Sequence, residues 1–111
     1  MFKFGSIYLS LFMLFACSKD KVEAYPNVLC NDEVSFSQDI LPLITQECTG
    51  CHDNQNGYSL TNYNNISANS KAIIGAMRAN NYQLMPQGGP MLPDSVIQLM
   101  ECWVNQGKPN N

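Results

Sequence analysis

Cys48-Thr49-Gly50-Cys51-His52 places the tightest constraint on how this chain folds. It sets two thiols three residues apart and puts the only histidine directly after the second. Such a cluster serves a covalent group, a metal or a disulfide, and each demands its own surroundings. The chain has 111 residues, one domain's worth of length. Hydrophobic residues make up 45% and charged residues 14%, the composition of a globule and not of a disordered chain. Six Lys and Arg stand against nine Asp and Glu, with no basic cluster. A nucleic-acid binder needs a cationic stripe, so that class is excluded.

Residues 1–16 read as an export signal. Lys3 leads an apolar run from Ile7 to Ala16, the charged start and apolar middle of a secretory leader. The run is too short to cross a bilayer as a helix, which takes about 20 apolar residues. It ends in Leu14-Phe15-Ala16-Cys17, which resembles a bacterial lipoprotein box. That resemblance implies cleavage before Cys17 and acylation of its sulfur and new amino group. The alternative is an ordinary cleaved signal with an incidental cysteine. Residues 17–33 then form a lipid-anchored linker. The mature chain, 17–111, carries five cations and nine acids, a net charge of −4. Acyl chains bind at about 0.8 kcal/mol per buried methylene, and more than one gives stable anchoring. Fully extended at about 3.3 Å per residue, the stretch from Ser18 to about Asn31 reaches roughly 45 Å. The domain is therefore expected to stay beside its membrane, in the periplasm or at the cell surface.

Cys-x-x-Cys-His is also the attachment signature of c-type haem. Two sulfurs at this spacing near a helix end can form thioethers to the two vinyl groups of one porphyrin. The next residue then sets an imidazole under the iron as proximal ligand. Three rivals use the same residues. A structural zinc site would take Cys48, Cys51, His52 and one further cysteine, but its usual signature has two paired ligand sets and this chain has one. A thioredoxin-like dithiol needs a preceding strand and a βαβ frame. The third rival is a plain disulfide. Export favours haem c, one per chain, held by Cys48 and Cys51 with iron on His52.

The flanks carry a family resemblance. Ser35-Phe36-Ser37-Gln38-Asp39-Ile40-Leu41-Pro42-Leu43-Ile44 precedes the motif. Leu84-Met85-Pro86-Gln87-Gly88-Gly89-Pro90-Met91-Leu92 follows it, and the chain then runs from Ile97 through Trp103-Val104-Asn105-Gln106-Gly107. Together these resemble the small planctomycete-type cytochrome c domain, a class I-like c-type cytochrome, over about residues 34–109. The resemblance implies an all-α fold, with N- and C-terminal helices packed across each other around one covalent haem. By the family's pattern the methionine before proline, Met85, is the distal iron ligand. Met91 in the same loop is the alternative. Met77 and Met100 fall on helical faces and read as core.

The residues themselves predict three helices. Val34, Phe36, Ile40, Leu41 and Ile44 form an apolar stripe, and Asp39 as N-cap would put Pro42 harmlessly in the first turn of a helix over about 40–50. A shorter helix is expected near 71–80, with Ser70 as cap and Gly75 weakening it. Residues 82–93 hold three prolines and two glycines and read as a loop. Pro93 suits the first turn of the last helix, with Val96, Met100, Trp103 and Val104 on one face and Gly107 past its end. Tyr58, Tyr63, Tyr82 and Trp103 are candidates to pack on a haem or bond a propionate. Cys30 and Cys102 are left over, and exported thiols tend to pair, so a Cys30–Cys102 disulfide is possible.

The expected function is that of a membrane-anchored monohaem c-type cytochrome, an electron carrier and not an enzyme. Its partners would be extracytoplasmic redox proteins, reached beside the membrane. The alternatives are a five-coordinate haem sensor or peroxidase-like protein, and an accessory haem subunit of a larger complex.

Overall fold

The computed structural model describes residues 29–53 and 58–111. The leader, Cys17 and most of the linker lie outside the described residues. Those described form helices and no strand, an all-α arrangement. A π-helical turn, Phe36–Ile40, runs into α1, Leu41–Glu47. Then come α2, Tyr63–Ala68, α3, Ser70–Met77, and α4, Asp94–Asn105. Among the described residues no helix is long and apolar enough to cross a membrane.

The first helical segment starts a turn earlier than its sequence suggests. Ser35, in extended conformation, is the N-cap, and its hydroxyl accepts the Gln38 N–H. Asp39, expected as the cap, serves that cap instead: its Oδ2 accepts the Ser35 N–H at 2.8 Å. The reciprocity is that of a capping box. Pro42 therefore lies beyond the first turn, where its ring would crowd the carbonyl four residues back. The wider π turn directly before it, with Leu41 N–H reaching Phe36 O, relieves that crowding. The far end is shorter than expected. α1 stops at Glu47, and Thr49 Oγ1 donates back to Thr45 O at 2.7 Å. Cys48 and Cys51 thus sit in the turn after the helix, not in its last turn.

α2 is not legible from periodicity, because only Tyr63 and Ile66 in its six residues face inward. It is held by local caps and by burial. Asn62 Oδ1 accepts the Asn65 N–H at 3.0 Å, and Ile66 is fully buried. Asn69 precedes α3, so Ser70 lies inside that helix and buried, not at its cap. α3 ends with Asn80 N–H on Gly75 O and Ala79 N–H on Ala76 O, a Schellman pattern with Ala79 at φ 51° in the place glycine prefers.

α4 starts with Pro93 as N-cap, one residue outside the first turn, and ends cleanly. Lys108 N–H reaches Trp103 O at 2.9 Å and Gly107, at φ 90°, reaches Val104 O at 3.0 Å. The helix buries Ile97, Met100 and Trp103 completely, while Val96 is only half-buried. Trp103 is the centre of the core. Its ring lies 5.8 Å from Phe36 and 6.1 Å, edge-on, from Tyr63, and its Nε1 donates to Pro109 O at 2.9 Å. Tyr63 donates its hydroxyl to Lys108 O at 2.7 Å. Trp103 and Tyr63 are thereby committed to the core.

Two further ties close the domain. Arg78, the C-cap of α3, forks onto buried Glu101 of α4, with Nη2 to Oε2 at 2.9 Å, and holds Asp94 Oδ1 at 2.8 Å. Those bonds push the guanidinium's pKa further above its ordinary value, Glu101 contributing most. On the opposite side, Cys30 is disulfide-bonded to Cys102, with Cα atoms 5.4 Å apart. Gln106 supports that junction by accepting the Val34 N–H at 2.8 Å and donating to Asp32 O at 2.7 Å. The folded part of the chain therefore reaches back to Cys30.

Candidate functional site

One face of the helical frame opens into a cleft of about 230 Å³. Its parts come from four stretches of chain. The turn after α1 supplies Cys48 and His52. The return strand-like segment supplies Tyr58 and Leu60. α3 supplies Ala72, Ile73, Ala76 and Met77, and the loop before α4 supplies Tyr82, Gln83, Met85, Pro86 and Leu92.

Each wall has a local cause. His52 is fixed by its N–H on Cys48 O at 2.9 Å, which closes the turn, and its own carbonyl accepts the Leu60 N–H at 2.7 Å. Met85 is pinned to the end of α3 by its N–H on Ala76 O at 3.0 Å. Gly89 N–H on Pro86 O tightens the loop behind it. Ala72 and Ala76, one turn apart, line the cleft beside Ile73 and Met77. They are a part of the site missed in the sequence. Their signal was present, as small residues at i and i+4 beside an apolar stripe, but only the tertiary arrangement tells a cleft wall from ordinary helix surface.

The structure brings Cys48, His52 and Met85 to one cleft. Cys51 is exposed on the same turn, outside the lining. Met91 is 46% exposed and stands away from the cleft. Met100 is buried in the core, while Met77 is both buried and part of the lining. Of the aromatic candidates, Tyr58 and Tyr82 line the cleft.

The chemistry of this lining is that of an apolar slot with very few donors. Among the described residues His52 Nδ1 is buried without a hydrogen-bond partner. A buried polar atom left so costs roughly 1–3 kcal/mol, which a bond to Nδ1 itself would offset. Burial pushes the Cys48 thiol up to about 11, with the Glu47 carboxylate adding to the effect. A dithiol oxidoreductase works the other way, lowering its attacking thiol to favour the thiolate. A helix, not a strand, precedes Cys48 as well. Among the described residues the zinc alternative lacks a fourth cysteine ligand, because Cys30 and Cys102 are bonded to each other. Among the described residues no group of three or more His, Cys, Asp and Glu could hold a metal ion. A porphyrin asks less of the chain: two thiols for its vinyl groups, one imidazole, and an apolar slot. Cys48, His52 and the apolar lining fit that demand, and Cys51 stands on the same turn outside the lining.

No family model, curated protein or solved structure matches this chain.

The raised thiol has a measurable consequence in the haem-free protein. A group whose folded pKa is raised contributes stability that is whole below its unfolded pKa and is lost as pH rises through the folded one. For Cys48 the window runs from its ordinary value of 9.0 to about 11. The expected loss is roughly 2–3 kcal/mol at about 1.4 kcal/mol per pKa unit. Urea midpoints taken across that window should fall in the parent chain and fall less in Cys48→Ala. Parallel curves would mean that the thiol is not buried in solution.

Proposed function

We propose that this chain is a membrane-anchored monohaem c-type cytochrome that carries single electrons between extracytoplasmic redox partners. Cys48 and Cys51 hold the haem as thioethers, His52 is the proximal iron ligand and Met85 the distal one. The observation that carries the reading is the convergence of Cys48, His52 and Met85 on one apolar cleft, with Met91 outside it. The fold class and the motif spacing agree with it.

Bound there, a haem iron supplies a reversible one-electron change. The chain's own residues do the rest. The turn that closes on Cys48 O holds the imidazole in place. The bond from Met85 N–H to Ala76 O fixes where the thioether is carried. The apolar lining keeps water away, and burial with His/Met ligation raises a haem's reduction potential. A sensor or peroxidase-like site needs an open iron face and a distal acid–base pair. Arg78, the cation nearest the distal loop in sequence, is committed to Glu101 and Asp94 and lies outside the cleft lining. Acylated Cys17 and the short linker would keep the domain beside its membrane, near partners that are themselves membrane-bound.

The test is spectroscopic. Made with haem-attachment machinery, the protein should show a c-type spectrum and, when oxidised, a methionine–iron charge-transfer band. Met85→Ala should lose that band, and Met91→Ala should keep it. A band that survives in Met85→Ala removes Met85 as ligand, and a colourless protein sinks the cytochrome reading.

A further inference from the structure

Beside the apolar cleft lies a second hollow, of about 160 Å³, in which polar groups join an apolar floor. Lys71, Arg78, Asn80, Asn81 and Glu101 line it together with Ile74. Among the described residues only Tyr82 lines both hollows. Its ring is 49% exposed, one side toward solvent, and the other side rests on α3 at Gly75. A Cβ built on Gly75 would fall 2.8 Å from Tyr82 Cε2, with Cδ2 nearer still, and 3.2 Å from Asn80 O. The missing side chain is therefore what lets the ring lie down. The segment that carries the ring is tightly folded: Ala79 and Asn81, just before it, both hold positive φ, at 51° and 59°. Glycine inside a helix costs about 1 kcal/mol against alanine, so its presence in α3 calls for a compensating contact.

We infer that Tyr82, seated on Gly75, is the wall between the apolar cleft and the charged rim of the second hollow, and so a positioning residue that sets the environment of the group held there. The second half of this inference rests on the haem reading above; the first half does not. An apolar cleft is as dry as its least complete wall. Without the ring, the two hollows merge, and the polar groups of one hydrate the other. For a haem, a wetter pocket means a lower reduction potential.

Three measurements separate the possibilities. In the full haem-free chain, Gly75→Ala should lower the thermal midpoint, although an exposed helical glycine normally gains from that change. The loss should be much smaller when the same substitution is made in Tyr82→Ala, where no ring remains to be displaced and only the milder crowding of Asn80 O is left. In the same haem-free protein, Tyr82→Ala should raise the rate at which Cys48, inside the cleft, is alkylated relative to Cys51 outside it. In the haem-loaded protein, Tyr82→Ala should shift the potential downward and Tyr82→Phe should leave it in place. A stabilising Gly75→Ala, or an alkylation ratio unchanged by Tyr82→Ala, overturns the wall. A potential unmoved by Tyr82→Ala overturns its role toward the haem. A chain that takes up no haem overturns the haem reading, while the first two readouts still decide the wall.

Discussion

Cys48→Ala/Cys51→Ala protein, produced beside haem-attachment machinery, is expected to retain no pigment after denaturation and solvent extraction, where the parent chain stays coloured. The reason is the division of labour in the turn. His52 and Met85 can offer bonds to iron, but those open when the chain unfolds. Only carbon–sulfur bonds survive, and each needs its own thiol. Single variants should keep one thioether and hold their colour with an altered spectrum. Cys51, exposed on the turn, and Cys48, half-buried in the lining, differ in reach, so the two singles need not load equally. Colour that resists extraction in the double variant would mean that the haem, if present, is held elsewhere. Mass measurement of the denatured chain checks the same point without relying on colour.

The second large effect concerns the bridge between Cys30 and Cys102. These residues are 72 apart in sequence, so the bond closes most of the described chain into one loop. Chain-entropy arguments give about 4 kcal/mol for a loop of that length. Cys30→Ala/Cys102→Ala protein is expected to lose stability of that order, read from the full denaturation curve, with a steeper slope because the unbridged unfolded chain exposes more surface. The bridge also holds the chain entering the fold against α4, where Gln106 bonds Val34 N–H and Asp32 O. A loss below about 1 kcal/mol would mean that the unbridged unfolded chain already keeps these ends together; in the folded chain Asn111 adds to the same junction. Asn111 Oδ1 accepts the Phe36 N–H at 2.8 Å, and its backbone oxygen accepts the Ser37 N–H at 2.9 Å.

The candidate site is legible in the sequence where chemistry and spacing coincide. Cys48, Cys51 and His52 are informative because no core needs two thiols and an imidazole in five residues. Met85 was harder. Four methionines follow the motif's loop, and a thioether looks the same in a core and on a metal. The placement of Met85 in the cleft and of Met91 outside it comes from one backbone bond, Met85 N–H to Ala76 O, which joins residues on different elements. Tyr82 was equally ambiguous, since its partner is the absence of a side chain at Gly75.

The helices divide in the same way. α4 was legible along its length, because a twelve-residue apolar period bounded by Pro93 and Gly107 carries its own start and stop. α2 was not, because six residues with two inward side chains fall short of a period. The first segment was misplaced by a turn, because Ser35 and Asp39 both make good caps and only the path of the chain chooses between them. By itself the sequence determined the helical class, the last helix and the chemistry available at residues 48–52. Local patterns carry these, since each depends on residues within a turn or two of one another. The tertiary structure decided which cap began the first helix, which methionine reached the cleft, which tyrosines went to the core, and that Arg78 would bind Glu101. Each of these is a choice among chemically equal candidates, and it is settled by which distant segments pack together.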